Sequence, residues 1–189
     1  MSPVTHFFTG WVFANLFRLD RRDRALVTVA SVAPDLDGLG IIPELLTRNS
    51  AHPLLWFSQY HHSLHNLAFA VVTAVASAVV GNQKWKTAAL AFVSFHLHLI
   101  EDVLGSRGPD GYQWPIPYLK PFSDRLQLVW HGQWALNAWP NVAITVGLLL
   151  ATFYFTWKKG LSPLEMFSSR AELAYMRAFR YRFPNGGLD

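Results

Sequence analysis

The sequence contains no cysteine. That excludes a disulfide framework, a thiolate zinc site and a cysteine nucleophile. Charge is also scarce, at 15% of residues against about 25% in a typical soluble domain. Its distribution is uneven: no Asp, Glu, Lys or Arg falls from Asn49 to Gln83 or from Leu126 to Trp157. Gaps of that length point to a membrane. A signal peptide is not indicated, because the start lacks basic residues and a small-residue cleavage site, and His6 interrupts it. There is no internal repeat and no low-complexity segment. What is present is apolar: 51% hydrophobic and 15% aromatic residues exclude a disordered, solvating chain. The 189 residues suffice for one cored domain, or a domain with a tail. A net charge of +4 suits anionic lipid or nucleic acid.

The apolar pattern predicts an all-α protein. Residues 3–17 read as a short helix capped by Thr5. Residues 24–33 read as a second, ended by Pro34, with APDLDGLG following as a loop. Residues 39–60 are mixed, with Pro43 and Pro53 as breakers. Long apolar helices are expected over 61–81 and 86–104, and the Gly- and Pro-rich stretch 105–117 reads as loop. The run Asn137–Trp157 is long enough to span a bilayer at 1.5 Å per residue, with a buried core helix as the other reading. Trp139, Tyr154 and Trp157 sit near its ends and Lys158 and Lys159 follow it, the pattern of a cytoplasmic end. In the tail, Leu164, Phe167, Leu173, Met176 and Phe179 or Phe183 can share an apolar side. Arg170, Arg177, Arg180 and Arg182 oppose it, as on a helix lying on an anionic membrane or packed on the domain. The organisation is thus a helical bundle with a metal site at one end (1–136), an apolar helix (137–159) and a basic amphipathic tail (160–189).

The polar residues carry the functional signal. If the first four helices run up and down, His6 lies at the start of the first and Asp35 and Asp37 lie just past the second. His61, His62 and His65 then lie at the start of the third, and His96, His98, Glu101 and Asp102 near the end of the fourth. All four groups fall at one end, and the basic turns Arg18–Arg24 and Lys84–Lys86 fall at the other. His98 and Asp102 are i, i+4 and share a helix face, as would His61 and His65. Asp35 and Asp37 flank Leu36, so in extended chain their carboxylates point the same way. Imidazole and carboxylate are the donors for Zn, Mn or Fe where thiolate is missing. Buried acids in an apolar bundle are costly unless paired or metal-bound. Glu101, beside Asp102, is a base, a bridging ligand or a support for one. His96 points away from His98, and His52 reads as surface.

These motifs resemble a bacterial inner-membrane, metal-dependent hydrolase family, itself similar to zinc-dependent phospholipase C and the single-strand-specific zinc nucleases. The resemblance rests on Thr5, His6 and Gly10, on APDLD (Ala33–Asp37), on HHSLHN (His61–Asn66), on His98 and Asp102, and on the loop with Trp114–Pro115. It implies that His6, Asp35, a histidine of the third motif and the His98–Asp102 pair bind metal, with Asp37 a further ligand or a base. His61 and His65 are four apart where that family has five, and Asn66 replaces its serine, so His61 and His62 stay alternatives.

The function expected is hydrolysis of phosphodiesters or phospholipids by a metal-activated water, with two divalent ions, Zn2+ favoured, and Glu101 or Asp37 accepting the proton. Arg107 and the 105–117 loop form the expected substrate rim. The alternative is a non-catalytic membrane metal-binding or transport protein, with His and Asp lining a path. A nucleic-acid role finds no reader motif. With the Lys84–Lys86 turn cytoplasmic, the site faces the periplasm, at a bacterial inner membrane.

Overall fold

The computed structural model describes residues 1–184. Among them are eight α-helices: α1 (Pro3–Asn15), α2 (Arg21–Ala30), α3 (Ile41–Thr47), α4 (Trp56–Tyr60), α5 (Leu67–Val80), α6 (Lys84–Gly105), α7 (Trp139–Lys159) and α8 (Ser169–Arg182). The strands are two-residue pieces, β1 (Ile116–Pro117) and β2 (Gln127–Leu128), paired antiparallel inside the 105–138 connection. The fold is all-α, as the apolar periodicity predicts.

Local chemistry sets the ends. Ser2, not Thr5, caps α1, its Oγ accepting from the Thr5 amide at 3.2 Å. Asp20 caps α2 through the Asp23 amide at 2.9 Å. Asp23 is fully buried and receives the Asn82 and Gln83 amides at 2.8 and 2.9 Å, which fixes the α5–α6 turn. The expected loop APDLDGLG is a 3-10 helix, Ala33–Gly40, that runs into α3. The helix expected over 61–81 begins only at Leu67, where Asn66 caps it through the Phe69 amide at 2.9 Å. Residues 61–66 stay out of the helix because Asp37 takes the amides of His62 and Leu64, both at 3.0 Å. The backbone there passes through φ +89° at His62, a left-handed conformation uncommon outside glycine.

α5 and α6 form an antiparallel hairpin around Ala70, Phe95, Leu99 and Ile116. α1 and α2 pack beside it over Ala14, Leu19 and Val27. Gly10 allows their closest approach: a Cβ there would lie 2.5 Å from Ser31 Cβ and 2.9 Å from the Thr28 carbonyl. α7 lies along α1, joined to it by the Thr5–Thr145 hydroxyl pair at 2.8 Å. The tail is not detached. Arg24 is buried and forms a bidentate pair with Glu165, with Nη2 to Oε2 at 3.1 Å. Met176 and Phe179 of α8 are buried too. Residues 185–189 of the expected tail lie outside the described residues.

α6 and α7 are long and apolar enough to cross a membrane, and α2 with the bent 33–47 segment makes a third candidate span. α7 exposes Val142, Val146, Leu149, Leu150 and Phe153 along its length, and α5 exposes Val71, Val72, Val75 and Val79, the faces a bilayer would cover. Charge is sorted by end. Residues 18–24, 84–86, 158–159 and 170–182 hold twelve of the sixteen Lys and Arg.

Candidate metal centre

The carboxylates and imidazoles singled out above meet where α1 begins and α6 ends. Asp102 is the hub. Its Oδ1 lies 3.2 Å from His6 Nε2, and its Oδ2 lies 3.1 Å from His98 Nε2 and 3.5 Å from His65 Nε2. Asp35 Oδ1 stands 3.9 Å from His98 Nε2. Ligand atoms of His6, Asp35, His98 and Asp102 all fit within 4.8 Å of one another. The His6 and His98 rings lie 3.8 Å apart between centroids, tilted by 32°. His6, His65 and His98 are at most 1% exposed and Asp102 is 7% exposed. The Met1 amine and Ser106 also donate to Asp102, Ser106 Oγ at 2.7 Å.

The orientation of the three imidazoles is set from behind. His98 Nδ1 donates to the Ser31 carbonyl at 2.9 Å. His6 Nδ1 donates to Glu101 Oε2 at 2.6 Å, and Thr9 Oγ1 holds the other Glu101 oxygen. His65 Nδ1 donates to Asp37 Oδ2 at 3.2 Å. With every Nδ1 proton spent outward, each ring when neutral turns a lone pair inward on Nε2. Such outward carboxylate and carbonyl partners are what orients ligating histidines.

Three features fit a cation at this centre. His6 Nε2 is buried with no well-formed hydrogen bond, and so is Asp35 Oδ2; orphaned buried acceptors of this kind cost about 1–3 kcal/mol each. His65 Nε2 and His98 Nε2 face each other at 3.1 Å, and two lone pairs at that distance repel unless a proton or a metal lies between them. Burial opposes a charge on His65, but the Asp102 and Asp37 carboxylates outweigh it and push its imidazole up to about 9. Thus, without a metal, His65 keeps a proton in that gap.

The other candidates are placed differently. Asp37 faces the turn: Oδ1 receives His61 Nδ1 at 2.9 Å, and Oδ2 receives His65 and two backbone amides. His61 stacks on Phe57. His62 packs on Trp114 at 4.5 Å between ring centroids, with both ring nitrogens lacking partners. Burial, with the neighbouring His65 and His61, pushes it down to about 3, so it stays neutral. His96 turns away, to the Phe92 carbonyl and the Tyr118 hydroxyl; His52 is exposed. Arg107 is tied through its backbone to Trp134 and Leu136.

Sequence reasoning misses several contributors. Gln133, 1% exposed, donates to the Asp102 carbonyl at 2.8 Å. Asn141 donates to the Gly105 carbonyl at 2.8 Å. Together they close the end of α6, whose last carbonyls have no helical partners. Ser31 and Thr9 belong to this group as well. A serine acting through its carbonyl carries no sequence signal. Thr9 carries a faint one, lying three residues after His6 on the same helix.

No curated protein and no solved structure matches this chain. One family model does, over residues 1–175, and its description is the YdjM inner membrane protein. That overturns the resemblance to a metal-dependent hydrolase family akin to zinc phospholipase C and the zinc nucleases: the family model that matches is a different one. It agrees with the membrane reading, since the two apolar helices α6 and α7 have the length for an inner membrane. With nearly its whole length matched, the chain belongs to the YdjM inner membrane protein family.

Proposed function

We propose that this protein is a membrane-embedded, metal-dependent hydrolase of phosphodiesters or phospholipids, with His6, Asp35, His65, His98 and Asp102 as the metal-holding set. The observation that carries the reading is the trio of inward Nε2 atoms around one carboxylate, each fixed by an outward Nδ1 bond. A structural histidine has no need of that arrangement. Five residues exceed the three protein ligands of a single catalytic zinc. Asp102 turns one oxygen to His6 and the other to His65 and His98, so both of its oxygens would be available to the ions this set would hold. The nitrogen and oxygen donors suit Zn2+, Mn2+ or Fe2+, and Zn2+ is the ion this reading takes. When bound, such ions supply Lewis acidity and lower the pKa of water towards 7.

The chain's own residues supply the rest. Glu101 and Asp37 have both oxygens engaged, so we read them as positioning residues rather than proton acceptors. Asp35 keeps an oxygen without a partner and lines an apolar groove. It is therefore the acid placed to take a proton from attacking water. The positive-inside rule puts the end with twelve Lys and Arg in the cytoplasm, and the metal centre at the outer face.

Purified protein in detergent, loaded with Zn2+ or Mn2+ and offered a phosphomonoester, a phosphodiester and a phospholipid, tests this. Turnover that is lost in Asp102→Asn supports the hydrolase. Full metal occupancy with no turnover of any substrate refutes it, and favours the metal-binding or transport alternative.

A further inference from the structure

The metal centre has two unlike neighbours. One is a groove of about 480 Å3 walled by Val32, Leu36, Leu39, Phe57 and Leu136, with Asp35 its only carboxylate. Its rim is apolar and open: Leu36, Leu39 and Leu136 are 53%, 57% and 52% exposed. The other is a cavity of about 580 Å3 that carries His61, His62, Trp114, Lys120, Asp124 and Gln127. Phe57 and His61 line both, so they form the wall between an apolar space and a polar one, next to the centre.

Height matters as well. His98 and Asp102 lie 14 and 18 residues along α6 from Lys84, roughly 21–27 Å at 1.5 Å per residue. With the basic end at the cytoplasmic surface, that is near the far edge of a hydrocarbon core about 30 Å thick. Phosphoesters of the outer leaflet sit at that level, with acyl chains below and head groups above.

On the reading of this centre as a phosphoester hydrolase, we propose that its substrate is a membrane-resident lipid phosphoester that enters sideways from the bilayer. An acyl chain occupies the Leu36–Leu39 groove, the phosphoester lies at Asp35 and the cluster, and the head group occupies the cavity with Lys120, Asp124 and Gln127. A soluble phosphodiester needs only the second space. The groove's exposed leucines match an acyl chain in chemistry and would be filled by one entering from the bilayer. The charges agree: a phosphate is drawn to a metal-holding cluster, and Lys120 and Asp124, 3.5 Å apart, offer both signs to a polar head group.

The test uses the full chain in bilayers containing a phosphatidylglycerol with a photoreactive diazirine in its acyl chain, and adducts are mapped by mass spectrometry. Adducts are expected on Leu36, Leu39 and Phe57, over the annular background read from Leu149 and Leu150 of α7. Excess unlabelled phosphatidylglycerol should suppress the groove adducts at least fivefold more than diacylglycerol, which lacks the phosphate. Groove adducts at background level, or equal suppression by both lipids, overturns the proposal. Leu39→Trp, which fills the groove, should lower the Phe57 adduct at least fivefold relative to α7, and an unchanged ratio in that variant also overturns it. Hydrolysis of bis(p-nitrophenyl) phosphate is measured in parallel. Turnover without groove adducts keeps the hydrolase and refutes the lipid. Groove adducts with no turnover of either substrate keep the lipid site and refute the hydrolase.

Discussion

Replacing Asp102 and replacing the residues behind the histidines should weaken metal binding by different amounts, and the order follows from geometry. Asp102 stands within 3.1–3.5 Å of all three Nε2 atoms. Asp102→Asn removes the anion shared by the whole set and leaves one buried oxygen in its place. Truncating one member of a buried charge group costs about 2–5 kcal/mol. A hub with three partners belongs at the top of that range, so a loss of about 1,000-fold or more in affinity is expected. Glu101→Gln keeps an acceptor for His6 Nδ1, now at 2.6 Å, and loses only its charge. Such supporting changes cost about 10–100-fold, or about 1.4–2.7 kcal/mol. Asp110 serves as the control: it is exposed and bonds only the Tyr112 amide, and Asp110→Asn should change nothing. Zn2+ affinity in detergent, read by competition with a chromogenic chelator, gives the ranking. A Glu101→Gln loss equal to or larger than that of Asp102→Asn would place Glu101 among the ligands and refute the assignment. Asp102→Asn with undiminished affinity would refute the centre itself.

Four further outcomes are expected. Gly10→Ala sets a methyl against Ser31 Cβ and the Thr28 carbonyl, and overpacking of this kind costs about 1–3 kcal/mol. Because the Ser31 hydroxyl also donates to the His6 backbone carbonyl at 2.7 Å and the Ser31 carbonyl accepts from His98 Nδ1 at 2.9 Å, Zn2+ content should fall although no ligand changes; full metal content in a destabilised variant would separate packing from the site. Arg24→Ala strands a buried Glu165 and should cost about 3–5 kcal/mol in denaturant unfolding, with Arg24→Met/Glu165→Leu recovering most of it. In the metal-free protein His65 is raised to about 9 from 6.5; its contribution is complete below pH 6.5 and is lost as pH rises through 9, so the melting temperature should decline over that window, and the decline should shrink in His65→Gln and with Zn2+ present. Finally, the chain has no cysteine, so single cysteines report topology: in intact cells an impermeant thiol reagent should label Ser63→Cys and spare Lys86→Cys, and the reverse pattern would invert the orientation.

Much of the site was legible because it depends on helix ends, and helix ends are written in local sequence. His98 and Asp102 share a face of α6 at i, i+4, and that alone places two inward donors. The up-and-down run of helices then brings His6 and Asp35 to the same end. What local sequence does not carry is the contact between Asp37 and the His62 and Leu64 amides, across 25 and 27 residues. That contact stops the helix expected over 61–66 and undoes the i, i+4 pairing of His61 with His65, so the two rings point to different places. His65 turns to the cluster; His61 turns to the wall between groove and cavity.

The same contact decides which acids can do chemistry. A carboxylate that orients a histidine and stitches a turn has spent both oxygens on donors, as Asp37 and Glu101 have. Asp35 has not: it stands at the edge of the cluster and the groove with one oxygen lacking a partner. Composition and spacing treat Asp35 and Asp37 as equals flanking Leu36; the number of donors reaching each one separates them. Asp37→Ala therefore removes the acceptor of both turn amides. It should unfold the 61–66 turn locally, seen as faster hydrogen exchange at His62 and Leu64. Asp35→Asn leaves those donors untouched and should lower metal affinity and turnover while the exchange rates at His62 and Leu64 stay as in the parent. If both variants loosen the turn alike, the division of labour between the two acids is wrong.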